Sequence, residues 1–453
     1  VHIRILHTND IHSHFETYPK LATFLKDSDK NVPSVLVDIG DNMDRFHSIT
    51  EATNGRANTA LLNYLQYDFA TIGNNEGITL AYQELTELYQ EAEFSVLVAN
   101  LFEQNGNYPE WIKPYAYKEI EGLKVCFIGV TVFYQKFYQL LGWKLEEPFQ
   151  VLEEILPEIV KEADAVVVLS HLGITDDEEM ARRFPAIDVI LGGHTHHVLP
   201  EGKWIGNTLL CGAGKYGEYI GQVDLSFNQE KKILQKSASL HSLRPIKACP
   251  SLQSKIEEIQ HEASAVLRNN VAIINRPLKV SWFEDSPFPD LLAEALKEWC
   301  DADIGMVNAG VLLESIEAGE VTKEDLHRIC PHPINPCRVS LTGEELKEVI
   351  QQAVQPEMEK LRIKGIGFRG KVMGKMAFSG LGLETEVHSD GSVQVVTVFV
   401  NGRDILPHEI ISIGTIDMFT FGGMYPSIMR AKDKKFYMPE LLRDVLAGKI
   451  ARL

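Results

Sequence analysis

Five short segments carry side chains that ligate metal ions, and each closes an apolar run. They are Thr8-Asn9-Asp10-Ile11-His12, Gly40-Asp41-Asn42, Gly73-Asn74-Asn75-Glu76, Ser170-His171-Leu172-Gly173 and Gly192-Gly193-His194-Thr195-His196. Asp10, His12, Asp41, Asn74, His171, His194 and His196 together offer enough oxygen and nitrogen donors for two divalent cations. Asp10 and His12 are separated by one residue, so a tight loop aims both at one cation. His194 and His196 share that spacing after two glycines. Alternate residues of extended backbone point opposite ways, so these two fit different cations. The Asp41 carboxylate has two oxygens and suits a bridging place that a neutral imidazole cannot fill. Asn74 adds a neutral carbonyl oxygen. Lacking thiolate, the set suits manganese or zinc first, with iron, cobalt and nickel also fitting, rather than calcium. A single histidine is more often a core or surface residue, and His14, His47, His197, His241 and His388 are read that way.

The apolar runs at 3–6, 35–39, 69–72, 166–169 and 189–191 read as buried strands with loops at their carboxyl ends. In α/β sheets those ends collect ligands. Helical periodicity is expected over 18–26, 59–66, 80–92 and 151–161, alternating with strands at 95–99, 124–131 and 164–170. That βαβα order predicts a layered α/β domain. Hairpin-like strands follow at 208–212, 218–227 and 233–243. A polar amphipathic helix over 251–268 is expected to join the halves. The second half should hold helices at 289–300, 343–353 and 439–446, with strands at 304–308, 393–400 and 410–415. Thr342 and Glu345 form a capping-box pattern. The expected division is a metal domain at 1–247, a linker helix at 248–272 and a substrate domain at 273–453.

A chain of 453 residues with 45% hydrophobic and 24% charged residues is a multidomain globular protein by composition. Its net charge of −19 argues against a nucleic acid polymer or an anionic membrane as partner, since both need a positive field. Two bound cations would still attract an anionic substrate. The six cysteines are scattered without a close pair, which reads as free thiols and favours a cytoplasmic protein. Removal of a leader would allow a secreted or cell-surface place instead. Nothing in the sequence specifies an oligomer.

The ordered pattern D-x-H, G-D, G-N, H and G-H-x-H resembles the calcineurin-like metallophosphoesterases, and within them the 5′-nucleotidase family. The second half is similar to that family's C-terminal domain in Val307-Asn308-Ala309-Gly310, Leu341-Thr342-Gly343-Glu344-Glu345-Leu346 and Phe421-Gly422-Gly423. The resemblance implies a four-layer β-sandwich flanked by helices, followed by a smaller α/β substrate domain. It implies that Asp10, His12, Asp41 and His196 hold one metal, and that Asp41, Asn74, His171 and His194 hold the other. Water activated between the metals is then the expected nucleophile. It further implies that the substrate domain rotates about the linker helix.

Two departures bear on function. The family reads Gly-Asn-His-Glu at the third motif, whereas this chain reads Gly73-Asn74-Asn75-Glu76, and the usual partner aspartate falls near Ile78. An amide donates a hydrogen bond but is no acid near neutral pH. General acid assistance typically contributes ~10²–10⁴-fold, so its loss weighs most on an alkoxide leaving group and least on a phosphate. His14 and His47 are candidates to replace it. The family's base-clamping phenylalanines correspond to His332 and Met418, its pocket arginines to Glu284 and Leu313, and its aspartate to Met424. Asn308 remains, and Phe419 or Phe421 offers an alternative stacking face.

The leading expectation is two-metal hydrolysis of phosphate ester or anhydride bonds in a small phosphorylated metabolite, with Asp41 and Asn75 at the reacting centre. A true 5′-nucleotidase is the alternative within enzymes. A metal-bound protein that senses a phosphorylated ligand with little turnover is the alternative outside them.

Overall fold

A computed structural model describes residues 1–29 and 31–453. The chain folds as two compact units, 1–263 and 264–453. The first holds two large sheets. One runs, edge to edge, Ile233–Ser242, Tyr219–Phe227, His2–Thr8, Ser34–Asp38, Phe69–Ala70, Ser95–Leu97 and Ile112–Lys113. The second runs Lys203–Ile205, Thr208–Cys211, Val189–Gly192, Ala165–His171, Leu123–Thr131 and Tyr115–Ile120. His2–Thr8 through Ile112–Lys113 are parallel to one another, as are the four central strands of the second sheet. Parallel strands are covered on both faces, which is why they appear as continuous apolar runs.

Alternation along these strands sorts side chains into two cores. Ile3, Ile5, Val35, Val37, Val125, Phe127, Val167, Leu169, Val189 and Leu191 fill the space between the sheets. The intervening Cys126, Ile128, Val166, Val168 and Ile190 face outward and pack with Val151, Leu152 and Ile159 of helix Pro148–Glu162 and Met180 of helix Ile174–Arg183. Each such fully buried side chain contributes roughly 1.5–3 kcal/mol. With helices such as Tyr18–Asp27 and Arg56–Tyr64, the architecture is a sandwich of sheets flanked by helices.

Several boundaries differ from expectation for local reasons. The stretch expected as one helix at 80–92 contains Tyr82–Leu88 alone, because Glu84 turns back to accept from Ala81 N (2.8 Å) and starts a new helix there. The loop expected at Asn74 opens helix Asn74–Thr79, with Glu76 accepting from Gly73 N at 2.8 Å. The closing helix is Leu442–Ile450 rather than 439–446. Lys203–Ile205 was not anticipated and covers the edge of Thr208–Cys211.

The second unit is built on the mixed sheet Met376–Ser379, Ile304–Asn308, Ile410–Ile416, Pro336–Thr342 and Lys434–Phe436. The Thr342 and Glu345 capping box opens helix Gly343–Ala353. Helix Pro250–Leu267 crosses the boundary between the units. Among the described residues no helix is long and apolar enough to cross a membrane. All six cysteines are free thiols, and five are buried.

Gly129 sits where the sheets join. Its carbonyl accepts from Ala99 N at 2.7 Å, and a Cβ there would lie 1.8 Å from Leu97 O. Gly129→Ala therefore forces backbone apart and should destabilise the first unit by roughly 1–3 kcal/mol. Urea unfolding monitored by tryptophan fluorescence checks this; an unchanged midpoint would contradict the close approach.

Candidate metal centre

The carboxyl ends of parallel strands from both sheets meet, and the loops there interlock. Asp10 N donates to Gly40 O, His12 N to Asp41 O and Ser13 N to Asn42 O, at 2.9–3.0 Å. Asp10, His12, Asp41, His194 and His196 all hold positive φ, between 47° and 68°, without being glycine. Such conformations are uncommon outside glycine and persist only where the surroundings enforce them. Here the enforcement is visible. Glu76, almost fully buried, accepts from Asp41 N, Met43 N and Gly73 N, which ties the second loop to the third.

Six of the seven expected ligands fall into two groups, Asp10 with His12 and His196, and Asp41 with His171 and His194. Within each group the donor atoms lie within 4.8 Å of one another. His196 Nε2 is 3.3 Å from Asp10 Oδ1 and 3.2 Å from His12 Nε2. Asp41 reaches both groups, with Oδ1 at 3.5 Å from His171 Nε2 and Oδ2 at 3.7 Å from His12 Nε2. Two donors each ~2.1 Å from a cation stand roughly 3–3.5 Å apart, so this spacing fits shared cations.

Hydrogen bonding says which atoms are available. His171 Nδ1 donates to Ile39 O at 2.7 Å, which leaves the buried Nε2, without a hydrogen-bond partner and facing Asp41, as the nitrogen a cation would take once its proton leaves. Asn74 Oδ1 is likewise buried without a partner. Orphaned buried acceptors are costly unless something satisfies them, and a cation does. Burial opposes a charge on His171, but Asp41 and Asp10 outweigh it and push the imidazole up to about 10. Carboxylates that attract a proton there attract a metal too, and the proton leaves on binding. His194 is pushed down to about 4, by burial and then by His171, and is a neutral donor.

Three residues around the ligands were not anticipated as partners. Asp44 Oδ2 is 3.2 Å from His12 Nδ1, and although burial pulls the other way, Asp44, Asp41 and Asp10 raise the His12 pKa. A carboxylate behind a ligating imidazole fixes its ring and tautomer. The Tyr134 hydroxyl lies 3.3 Å from His194 Nε2. Asp177 accepts from the Ser170 hydroxyl and fills the space beside Gly192, bracing two ligand-bearing strands. Each contact joins residues on different elements, so no local pattern signalled it.

Asn75 is buried, its backbone N donating to Asp41 Oδ1 (2.8 Å) and its Nδ2 lying 2.8 Å from His12 Nδ1. Its amide therefore faces a candidate ligand. His47 Nδ1 accepts from Ile49 N and caps helix Ser48–Thr53. His14 Nδ1 is 2.9 Å from Glu16, and its ring is 4.2 Å from Tyr216, which in turn is 5.8 Å from His12.

The proposed substrate positions lie in the second unit. Asn308, His332, Met418 and Phe419 are fully buried, and Phe421 is partly exposed. His332 stacks on Phe368 at 5.1 Å, and its nitrogens contact Val311 O and Arg369 N. Of the positions matched to family arginines, Glu284 is exposed and Leu313 partly so.

Burial pushes Asp177 up to about 8, against an ordinary value near 3.8. A carboxyl whose folded pKa is raised is protonated in the native state and penalises folding increasingly as pH climbs from about 4 towards 8. Asp177→Asn keeps an acceptor for Ser170 without that charge. The variant should be more stable than the parent at pH 9 and nearly equal at pH 4, read from thermal unfolding. A constant difference across that range would contradict the assignment.

The geometry has counterparts among known proteins. Residues 3–198 match the calcineurin-like phosphoesterase family, and residues 264–423 match the 5′-nucleotidase C-terminal domain. The chain is 48% identical to YunD of Bacillus subtilis (strain 168), an uncharacterized metallophosphoesterase, over 99% of both chains. It is 23% identical to the protein UshA of Yersinia enterocolitica, over 94% of this chain and 86% of that one. The NAD nucleotidase of Haemophilus influenzae has the same fold, with a TM-score of 0.69 at 16% identity, covering 100% of this chain and 96% of that one. The 5′-nucleotidase precursor of Thermus thermophilus superposes with a TM-score of 0.61 at 18% identity and the same coverage. With donors for two cations converging beside this fold, the chain belongs to the calcineurin-like metallophosphoesterases of the two-domain 5′-nucleotidase type, which are metal-dependent phosphoester hydrolases.

Proposed function

We propose that the chain hydrolyses ester or anhydride bonds of a small phosphorylated metabolite, and that its preferred leaving group departs without a proton. The placement of Asp41 between two donor groups carries the hydrolytic reading. In this reading Asp10, His12 and His196 hold one cation, Asn74, His171 and His194 hold the other, and Asp41 is shared. Manganese or zinc suits these oxygen and nitrogen donors. Two divalent cations supply, when bound, charge that polarises the phosphoryl group and acidifies solvent water.

The chain's own residues contribute orientation. Asp44 fixes the His12 ring, Ile39 O fixes His171, and Asn75 and Tyr134 stand beside His12 and His194. Where the family has histidine, the Asn75 amide supplies no acid. An alkoxide such as a ribose 5′-hydroxyl would then leave slowly, and a phosphate or aryl oxide readily. The burial of His332 and Met418, with Phe368 stacked on His332, gives the 5′-nucleotidase alternative less support than the general phosphoesterase reading. The buried free thiols agree with a reducing compartment.

Asp41→Asn should reduce manganese-dependent hydrolysis of an aryl phosphate by at least ~10²-fold, the scale of losing two-metal activation. Full activity in the purified, folded variant would defeat the shared-ligand assignment. Asn75→His should raise turnover of a nucleoside monophosphate relative to an aryl phosphate, by up to ~10²-fold. An unchanged ratio would show that leaving-group protonation is not what Asn75 limits.

A further inference from the structure

The chain carries an excess of 19 negative charges, yet residues 360–375 contain Lys360, Arg362, Lys364, Arg369, Lys371 and Lys375 and no carboxylate. This segment lies in the second unit and folds back on itself. Gly374 N donates to Glu359 O, Met373 N to Leu361 O and Phe368 N to Gly365 O, at 2.8–3.0 Å. At the tip Ile366 and Gly367 hold φ of 51° and 76°. Positive φ at both central residues is what a tight hairpin turn requires. For a β-branched residue such as Ile366 it is strained.

Three apolar members of the hairpin, Ile363, Phe368 and Met373, are buried, while Leu361 and Ile366 are exposed. Phe368 stacks on His332, Arg369 N donates to His332 Nδ1, and Asn308 Nδ2 donates to Met373 O at 2.7 Å. Both arms are thus anchored while Arg362, Lys364 and Lys371 remain exposed. Lys375 pairs with Asp285, and the charges of Lys375 and Lys360 both act on the Glu359 carboxylate. Arg362, Lys364 and Lys371 have no carboxylate partner among the described residues. Holding three like charges on one short hairpin costs repulsion that an anion relieves. Arginine grips phosphate through two donors and lysine as a point charge.

We propose that the hairpin at 360–374 binds the phosphate chain of a ligand carrying two or more linked phosphates. A single phosphate engages one or two of these cations, whereas a linear oligophosphate reaches cations on both arms. A nucleic acid polymer fits less well, because the chain as a whole carries a net charge of −19. The identification of the ligand as a substrate rests on the phosphoester-hydrolase reading above.

The test is hydrogen–deuterium exchange of the full, metal-loaded chain with increasing inorganic tripolyphosphate. Exchange across the hairpin should slow in the parent. The half-maximal concentration should rise about tenfold in Arg362→Glu/Lys364→Glu/Lys371→Glu, the scale of losing three exposed charge contacts. Arg362→Gln/Lys364→Gln/Lys371→Gln, which only neutralises, should shift it in the same direction and guards against misfolding of the reversed variant. Equal protection in parent and both variants overturns the proposal, as does equal protection by orthophosphate. Stronger protection by a single-stranded oligonucleotide overturns it in favour of nucleic acid. Aryl phosphate hydrolysis by the same preparation separates the two readings. Activity without hairpin protection removes only this inference, while absence of metal-dependent activity removes the hydrolase reading.

Discussion

The centre depends on backbone held in an unfavourable conformation by hydrogen bonds between loops. Asp10, His12, Asp41, His194 and His196 all occupy left-handed φ, which costs an ordinary residue roughly 1–2 kcal/mol each. That cost is met because the loops after His2–Thr8 and Ser34–Asp38 zip together, Tyr216 N donates to Asp10 O, and Glu76 gathers three backbone N–H groups. The strands beneath are buried on both faces and give the loops a rigid base. Side chains fixed this way converge without further ordering when a cation arrives, so little entropy is lost on binding.

Electrostatics divides the buried carboxyls into two kinds. Asp41 is drawn well below the ordinary carboxylate range by His171 and His12, although burial pushes the other way. It stays ionised and faces imidazole donors. Asp38 and Glu76 are pushed up to about 7, and Asp177 to about 8, mainly by burial. These three act as hydrogen-bonding ties, with Asp38 bound to Thr8 and Asn42. The charges that a cation sees are therefore concentrated on the ligand side, while the bracing carboxyls can remain neutral. Burying uncompensated charge is costly, and this arrangement limits it to where a metal would offset it.

Much of this was legible from sequence where the governing interactions are local. Val35–Ile39 and Val166–Leu169 announce themselves because buried parallel strands are apolar throughout, and Thr342 with Glu345 marks a helix start across three residues. The candidate ligands were visible because their types recur after such runs. What stayed hidden was tertiary. Asp44 meets His12 across 32 positions and Tyr134 meets His194 across 60. Helix Asn74–Thr79 was missed because Gly, Asn and Asn are poor helix formers, and the Glu76 cap decided it. The basic run at 360–375 was not singled out from the sequence, and only the fold shows it anchored on Asn308 and His332. Those two residues pack the hairpin from within, a role that substitution patterns alone could not suggest.

If Asp41 is shared between two donor groups, one chain binds two cations. Metal content of the purified chain after equilibration with manganese and removal of the free ion, measured by elemental analysis against protein concentration, tests it most directly. Two manganese ions per chain are expected, and a stoichiometry of one or none would rule out a shared Asp41.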